Sequence, residues 1–224
     1  MPVPKGRKLE RQRLLPNKRF ERLKKQNPLI NAERRTENEG LQESIRLMDR
    51  RGGHIFFRTT LKEIEREFST SITRIVLEKL TGAKSRQVNV LDLGCGAGTA
   101  LSQLKETFGS KIKTTGALFE RKKSEKYWGI DNLIVGDAAL IKPKERFDVI
   151  YSHAGPFYSS AQKTALVHNM IQMLAPGGTA VVGVYNWGRL QKKEVEEMLA
   201  VLKKAGITPK FNQDKSVLVF RKQY

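Results

Sequence analysis

Acid is scarce in this chain. Its 224 residues include 23 Asp and Glu against 42 Lys and Arg, which leaves a formal charge of +19. A single small anion does not call for such an excess. A polyanion gains from it through attraction and counterion release, so nucleic acid is the partner expected from charge. Plain solubility is the other account of the same imbalance. Cysteine is nearly absent as well: the lone Cys95 excludes an internal disulfide and is compatible with a reducing compartment. The expected location is the cytoplasm, or the nucleus in a eukaryotic cell. No apolar run approaches the roughly 20 residues that cross a bilayer, and the opening MPVPKGRK lacks the apolar centre of a secretory signal. No membrane partner is expected, and no metal-ligand set is read. The length suits one full α/β domain with an extension.

What is present is organised around Val88 to Ala100, VNVLDLGCGAGTA. Val88, Val90, Leu91 and Leu93 form a short β-branched and aliphatic run bounded by polar residues and glycine, the pattern of a buried parallel strand. Gly94, Gly96 and Gly98 allow positive φ and a close approach of ligand to main chain. From Thr99 the spacing of Leu101, Leu104 and Phe108 is helical, so the free amides of a helix start point at whatever lies over the turn. Strand, glycine turn and helix together make a nucleotide-type binding corner.

Two further absences sort the candidates. Thr99 stands where a dinucleotide fingerprint carries its third glycine, and the Gly-Lys-Ser/Thr of a phosphate loop is missing. The segment resembles motif I of the class I S-adenosylmethionine-dependent methyltransferases, in which an acid such as Asp92 precedes the glycines. That resemblance places Asp92, Gly94, Gly96 and Gly98 around the methionine part of S-adenosylmethionine, with Cys95 in the same cofactor-binding turn; its place inside the turn suggests a small packing residue rather than a nucleophile. An ordinary tight turn is the alternative.

Residues 1–40 hold twelve basic and five acidic residues, few apolar ones, and prolines at 2, 4, 16 and 28. They read as an extended or partly helical basic arm, suited to RNA phosphates, to a nuclear-type address, or merely to solubility. Residues 41–85 change character. LQESIRLMDR and SITRIVLEKLTG have helical apolar spacing, with Gly82 as the stop of the second; between them Gly52 and Gly53 break the pattern ahead of His54, Ile55, Phe56 and Phe57. By resemblance this segment is a lid over the cofactor; as residues alone, the apolar ones are core and His54 is surface.

Lys111 to Leu118 reads as the second strand. The family usually ends it with Gly-x-Asp or Gly-x-Glu for the ribose hydroxyls, but here Leu118 occupies that position and the nearest acid is Glu120. If the strand continues, Glu120 shares a face with Leu118 and reaches the ribose one pleat further on; otherwise it is a first-turn acid of the next helix. Arg121 to Trp128 reads as a helix with a basic face. Asn132 to Val135 is the third strand, leading into Gly136-Asp137-Ala138. This resembles the family motif in which the Asp accepts from the adenine amino group and the next amide, Ala138 here, faces a ring nitrogen; a turn Asp capping a helix is the alternative.

Arg146 to His153 is the fourth strand, beside the first across the change of strand order, where ligands bind. By the resemblance, Ser152 and His153 are expected near the methyl group, followed by Phe157 and Tyr158. Methyl transfer from a sulfonium is an in-line displacement that asks the protein for orientation, desolvation and sometimes removal of a proton. His153 and Tyr158 are the catalytic candidates, His153 as base or as a stacking ring. The loop is not the Asp/Asn-Pro-Pro-Tyr/Phe of the amino-methylating nucleic-acid enzymes, which argues against exocyclic base amines. A helix over 161–174, the family-like LAPGG turn, a strand over 179–185, a helix over 190–205 and a hairpin of strands over 207–211 and 216–220 complete the pattern.

The resemblance covers about residues 86–222 and implies a seven-stranded, mostly parallel sheet flanked by helices, its last strand antiparallel. It implies a methyltransferase domain over 86–224 behind the arm (1–40) and the lid (41–85). The expected activity is S-adenosylmethionine-dependent methyl transfer, with RNA the favoured acceptor. A protein or small-molecule acceptor, or a non-catalytic nucleic-acid-binding module of the same fold, are the alternatives.

Overall fold

The computed structural model describes residues 59–83, 86–120, 126–153, 155–159, 162–184, 192–212 and 216–223. The basic arm, the helix expected over 41–50 and the Gly52–Phe57 stretch lie outside the described residues.

The first described helix, α1 (Leu61–Phe68), was hidden from the apolar periodicity by its shortness. Its start is nonetheless written locally: Thr60 accepts from the Glu63 amide while the Glu63 carboxylate accepts from the Thr60 amide at 2.7 Å, a reciprocal cap. Ser69, at φ 48°, ends it. Ser71 caps α2 (Ile72–Gly82), and Glu65 of α1 accepts from both the Ser71 hydroxyl and the Thr73 amide, which fixes the turn between the two helices. The second helix stops where Gly82 was expected to stop it, but differently: Gly82 is its last residue, and Ala83 caps it in right-handed geometry.

Seven strands follow: β1 (Val88–Leu93), β2 (Ile112–Leu118), β3 (Asn132–Val135), β4 (Phe147–Ser152), β5 (Leu174–Gly183), β6 (Lys210–Phe211) and β7 (Val217–Arg221). They pair in the order β3-β2-β1-β4-β5-β7-β6. β7 runs antiparallel between β5 and β6, and the β1, β2, β3, β4 and β5 pairings are parallel. This is the sheet of a class I methyltransferase fold. The helices between strands are α3 (Thr99–Phe108), the short α4 (Pro156–Ser159), α5 (Lys163–Met173) and α6 (Lys192–Lys204).

Alternation along the strands divides the core in two. Val88, Val90, Val149, Tyr151, Val181 and Val217 pack with α1, α2 and α3 on one side. Leu91, Leu93, Ile150, Val182 and Leu218 pack with α5 and α6 on the other. Chain order reverses between β1 and β4, so the loops that leave these two strands meet at the carboxyl edge of the sheet.

Two expected elements differ. Of the helix expected over 121–128, residues 121–125 lie outside the described residues, and Lys126 to Trp128 are not helical; they run as irregular chain tied to the glycine turn by the Trp128 amide, which donates to the Ala97 carbonyl. LAPGG is not a separate turn before β5 but lies within it. β5 pairs with β4 at Leu174, bulges, and resumes pairing at Thr179. Gly177, at φ 72°, bends that bulge, whose carbonyl accepts from Lys79 and Arg221.

Candidate functional site

The site grows from the ends of β1, β3 and β4. At the end of β1, Gly94, Gly96 and Gly98 all take positive φ. The need is plainest at Gly94, where φ is +94° and a Cβ would lie 2.6 Å from the Gly155 Cα in the loop after β4. The turn is held on its other side by β2, since the Gly94 and Cys95 amides both donate to the Ala117 carbonyl. Those two amides are thus engaged within the protein. The amides of the α3 start are among those left for a ligand, because its cap residue Gly98 has no side chain to satisfy them.

Asp92 stands on β1 in register with Gly116 of β2 and Tyr151 of β4, and is buried. Burial pushes its carboxyl up to about 7, against a smaller opposing effect of the Tyr151 hydroxyl. Cys95 is also buried, against the open face of Gly116. Burial, with the Asp92 charge adding to it, raises its thiol far out of the reactive range. It packs the turn and is no nucleophile.

At the end of β3, Asp137 is buried with its two oxygens treated differently. Oδ1 accepts from the Ala139 amide at 2.8 Å, whereas Oδ2 has no partner. Burial raises this carboxyl too, with the Ala139 amide pulling the other way. An orphaned, buried acceptor held rigidly by its own loop fits a ligand amino group, as adenine would present. The loop is fixed from behind by Asn169 of α5, whose amide donates to the Ala138 carbonyl at 2.8 Å and the Ile141 carbonyl at 2.7 Å. Asn169 was not read from the sequence. The signal was there: one amide among the apolar residues Leu166, Val167, Met170 and Met173 of the same helix.

β2 stops at Leu118, which is half-buried, and Glu120 is exposed in a bend beyond it. The pleat argument that would bring Glu120 onto the face of Leu118 therefore does not apply. Ser152, expected beside the ligand, is buried and donates its hydroxyl to the Leu93 carbonyl at 2.9 Å. It braces β4 to β1 and has no hydroxyl proton left for a cofactor. His153 follows it, half-buried under α1: Glu67 Oε2 lies 2.8 Å from His153 Nε2, and the Phe68 and His153 ring centroids are 5.6 Å apart. Glu67, a second residue missed in sequence, came with the unrecognised α1. Tyr158 belongs to α4, and its side chain lies outside the described residues, as does residue 154.

Asp148, in the family-like stretch Asp148–Ser152, proves to be a structural clamp at the opposite edge of the sheet. Arg86 grips it with two bonds of 2.8 and 2.7 Å, and the Asn89 amide adds a third at 2.9 Å. Among the described residues no group of three or more His, Cys, Asp or Glu side chains could hold a metal ion.

A methyltransferase-domain family matches residues 84–215. Similar solved structures include a sugar N-methyltransferase from Streptoalloteichus, at 14% identity over 68% of this chain and 87% of that one, with a TM-score of 0.48. Others are a TehB-like SAM-dependent methyltransferase from Corynebacterium glutamicum (19%, 84% and 99%, 0.46) and a SAM-bound amino pentose methyltransferase from Micromonospora echinaspora (15%, 76% and 100%, 0.46). No curated protein matches the chain. With the sheet order, the glycine turn at β1 and the orphaned acceptor at β3 all in place, the family match over more than half of the chain settles the class: this chain belongs to the methyltransferase-domain family and is an S-adenosylmethionine-dependent methyltransferase.

Proposed function

We propose that the acceptor is RNA. The observation that carries this reading is the charge of +19, with twelve basic and five acidic residues in the first forty. A cofactor with one carboxylate gives no reason for that excess, and a phosphate backbone does. On this reading the arm holds the RNA and the reacting atom is delivered to the carboxyl edge of the sheet, beside His153. The imidazole, steadied by Glu67 and Phe68, takes the proton of the acceptor or stacks on it.

Filter binding of RNA to the full chain across a salt series tests this. Affinity should fall steeply with salt. Replacing Lys5, Arg7, Lys8, Arg11 and Arg13 by Gln should flatten the slope while leaving cofactor affinity unchanged. Equal RNA binding by both proteins at every salt concentration would refute the role of the arm. A labelled-methyl screen of RNA, protein and dialysable fractions decides the acceptor. One observation favours a small acceptor instead: α1 lays Glu67 and Phe68 over His153, which encloses that end of β4. Label in the dialysable fraction alone would select that reading.

A further inference from the structure

Tyr151 is buried without a purpose that packing explains. Its side chain is 0% exposed, and its hydroxyl has no hydrogen-bond partner. Phenylalanine would fill the same space without leaving a buried donor unsatisfied, a defect that costs about 1–3 kcal/mol. Its register partner across β1 and β4 is Asp92, itself 4% exposed. Tyr151 is the described group that steadies the Asp92 charge, though short of a formed hydrogen bond. The other titratable neighbour is Cys95 in the glycine turn, held neutral by burial. β2 presents Gly116 in register and so adds no side chain. Nothing described here offers Asp92 a positive charge, and burial accordingly favours its protonated form.

The family's cofactor brings an ammonium and a sulfonium to this edge of the sheet. We propose that Asp92 and Tyr151 form a neutral carboxyl–phenol pair without cofactor, and that cofactor binding releases one proton from Asp92 to solvent while the Tyr151 hydroxyl turns to donate to the new carboxylate. No bond other than O–H is broken. The ligand's positive charge replaces the proton as the counter-charge, and the orphaned phenol acquires its acceptor. Tyr151 thereby becomes a cofactor-site residue that acts through Asp92. The inference rests on the cofactor and is independent of which acceptor is methylated.

Calorimetry of S-adenosylmethionine binding to the full chain at pH 6, in buffers of different ionisation enthalpy, reads proton release directly. The cofactor's own amine is fully protonated at that pH. About one proton released per bound cofactor is expected, and none from Asp92→Asn at whatever affinity it retains. Tyr151→Phe should still release the proton but bind about tenfold more weakly at pH 8, through loss of a hydrogen bond to a charged acceptor. Binding by the wild-type chain with a heat independent of buffer at pH 6 would overturn the proton coupling. Unchanged affinity in a folded Tyr151→Phe would overturn the role of the hydroxyl.

Discussion

The two edges of this sheet treat buried aspartates in opposite ways. At the amino edge Asp148 is saturated, with two guanidinium bonds and one amide. At the carboxyl edge Asp137 keeps one oxygen unpartnered, and among the described residues Asp92 has beside it the Tyr151 phenol, which makes no hydrogen bond. A saturated buried acid holds chain to chain; an unsaturated one is an energetic debt that a ligand can cancel. Position in the motif does not separate the two kinds, since Asp148 and Asp92 both belong to family-like stretches. Partner count does.

Four measurements would break or sharpen that contrast. A large loss of stability should come from Asp148→Ala, which strips Arg86 and the Asn89 amide of their acceptor. It should cost about 3 kcal/mol in chemical denaturation and leave cofactor affinity per folded molecule unchanged. A loss of affinity without a loss of stability would place Asp148 with the functional acids after all.

Asp92 should behave inversely. Its folded-state carboxyl titrates near 7 and its unfolded one near 3.8, so between those values the folded chain binds more protons than the unfolded one. This contribution to stability is fully present below pH 4 and is lost as pH rises toward 7. Asp92→Asn should flatten that slope and make the cofactor-free protein more stable at pH 8, by at most about 4 kcal/mol. Parallel pH–stability curves for the two proteins would show that Asp92 is not desolvated.

Asp137→Asn keeps the shape but turns an acceptor toward amide character. Cofactor affinity should fall by about ten- to a hundredfold, or about 1.4–2.7 kcal/mol, with stability nearly unchanged. Equal affinity by calorimetry would remove Asp137 from the adenine position. The smallest effect should follow Asn169→Ala, which frees the loop behind Asp137 without touching the ligand. Affinity should drop by less than tenfold, chiefly through a faster dissociation rate, and an unaltered rate would reduce Asn169 to a core residue.

Much of this was legible beforehand because each signal was local. The run Val88–Leu93, the turn glycines and the Asn132–Val135 strand lie within a few residues of their assigned bounds. The seventh strand runs antiparallel as the resemblance implied. What stayed hidden depended on register or on contacts distant in sequence. Tyr151 acquires its meaning only opposite Asp92, and Asn169 only behind residues 138 and 141. Ser152 faced the site on paper, but its hydroxyl is held by Leu93, 59 residues earlier. Helix α1 was missed for a different reason: eight residues carry too few apolar repeats, and the Thr60–Glu63 cap was its one clear mark.

The contact between Gly94 and Gly155 has a consequence for engineering. A Cβ on Gly155 would fall 2.1 Å from the Leu93 carbonyl and 2.7 Å from the Ser152 hydroxyl, so the loop after β4 has no slack against the cofactor turn. Swapping that loop for one from another enzyme would carry its change straight into the glycine turn after β1. On the proposal that the acceptor lies beside His153, attempts to change which molecule is methylated should begin at α1, where the side chains over His153 can be exchanged while the β1 and β4 loops keep their fit.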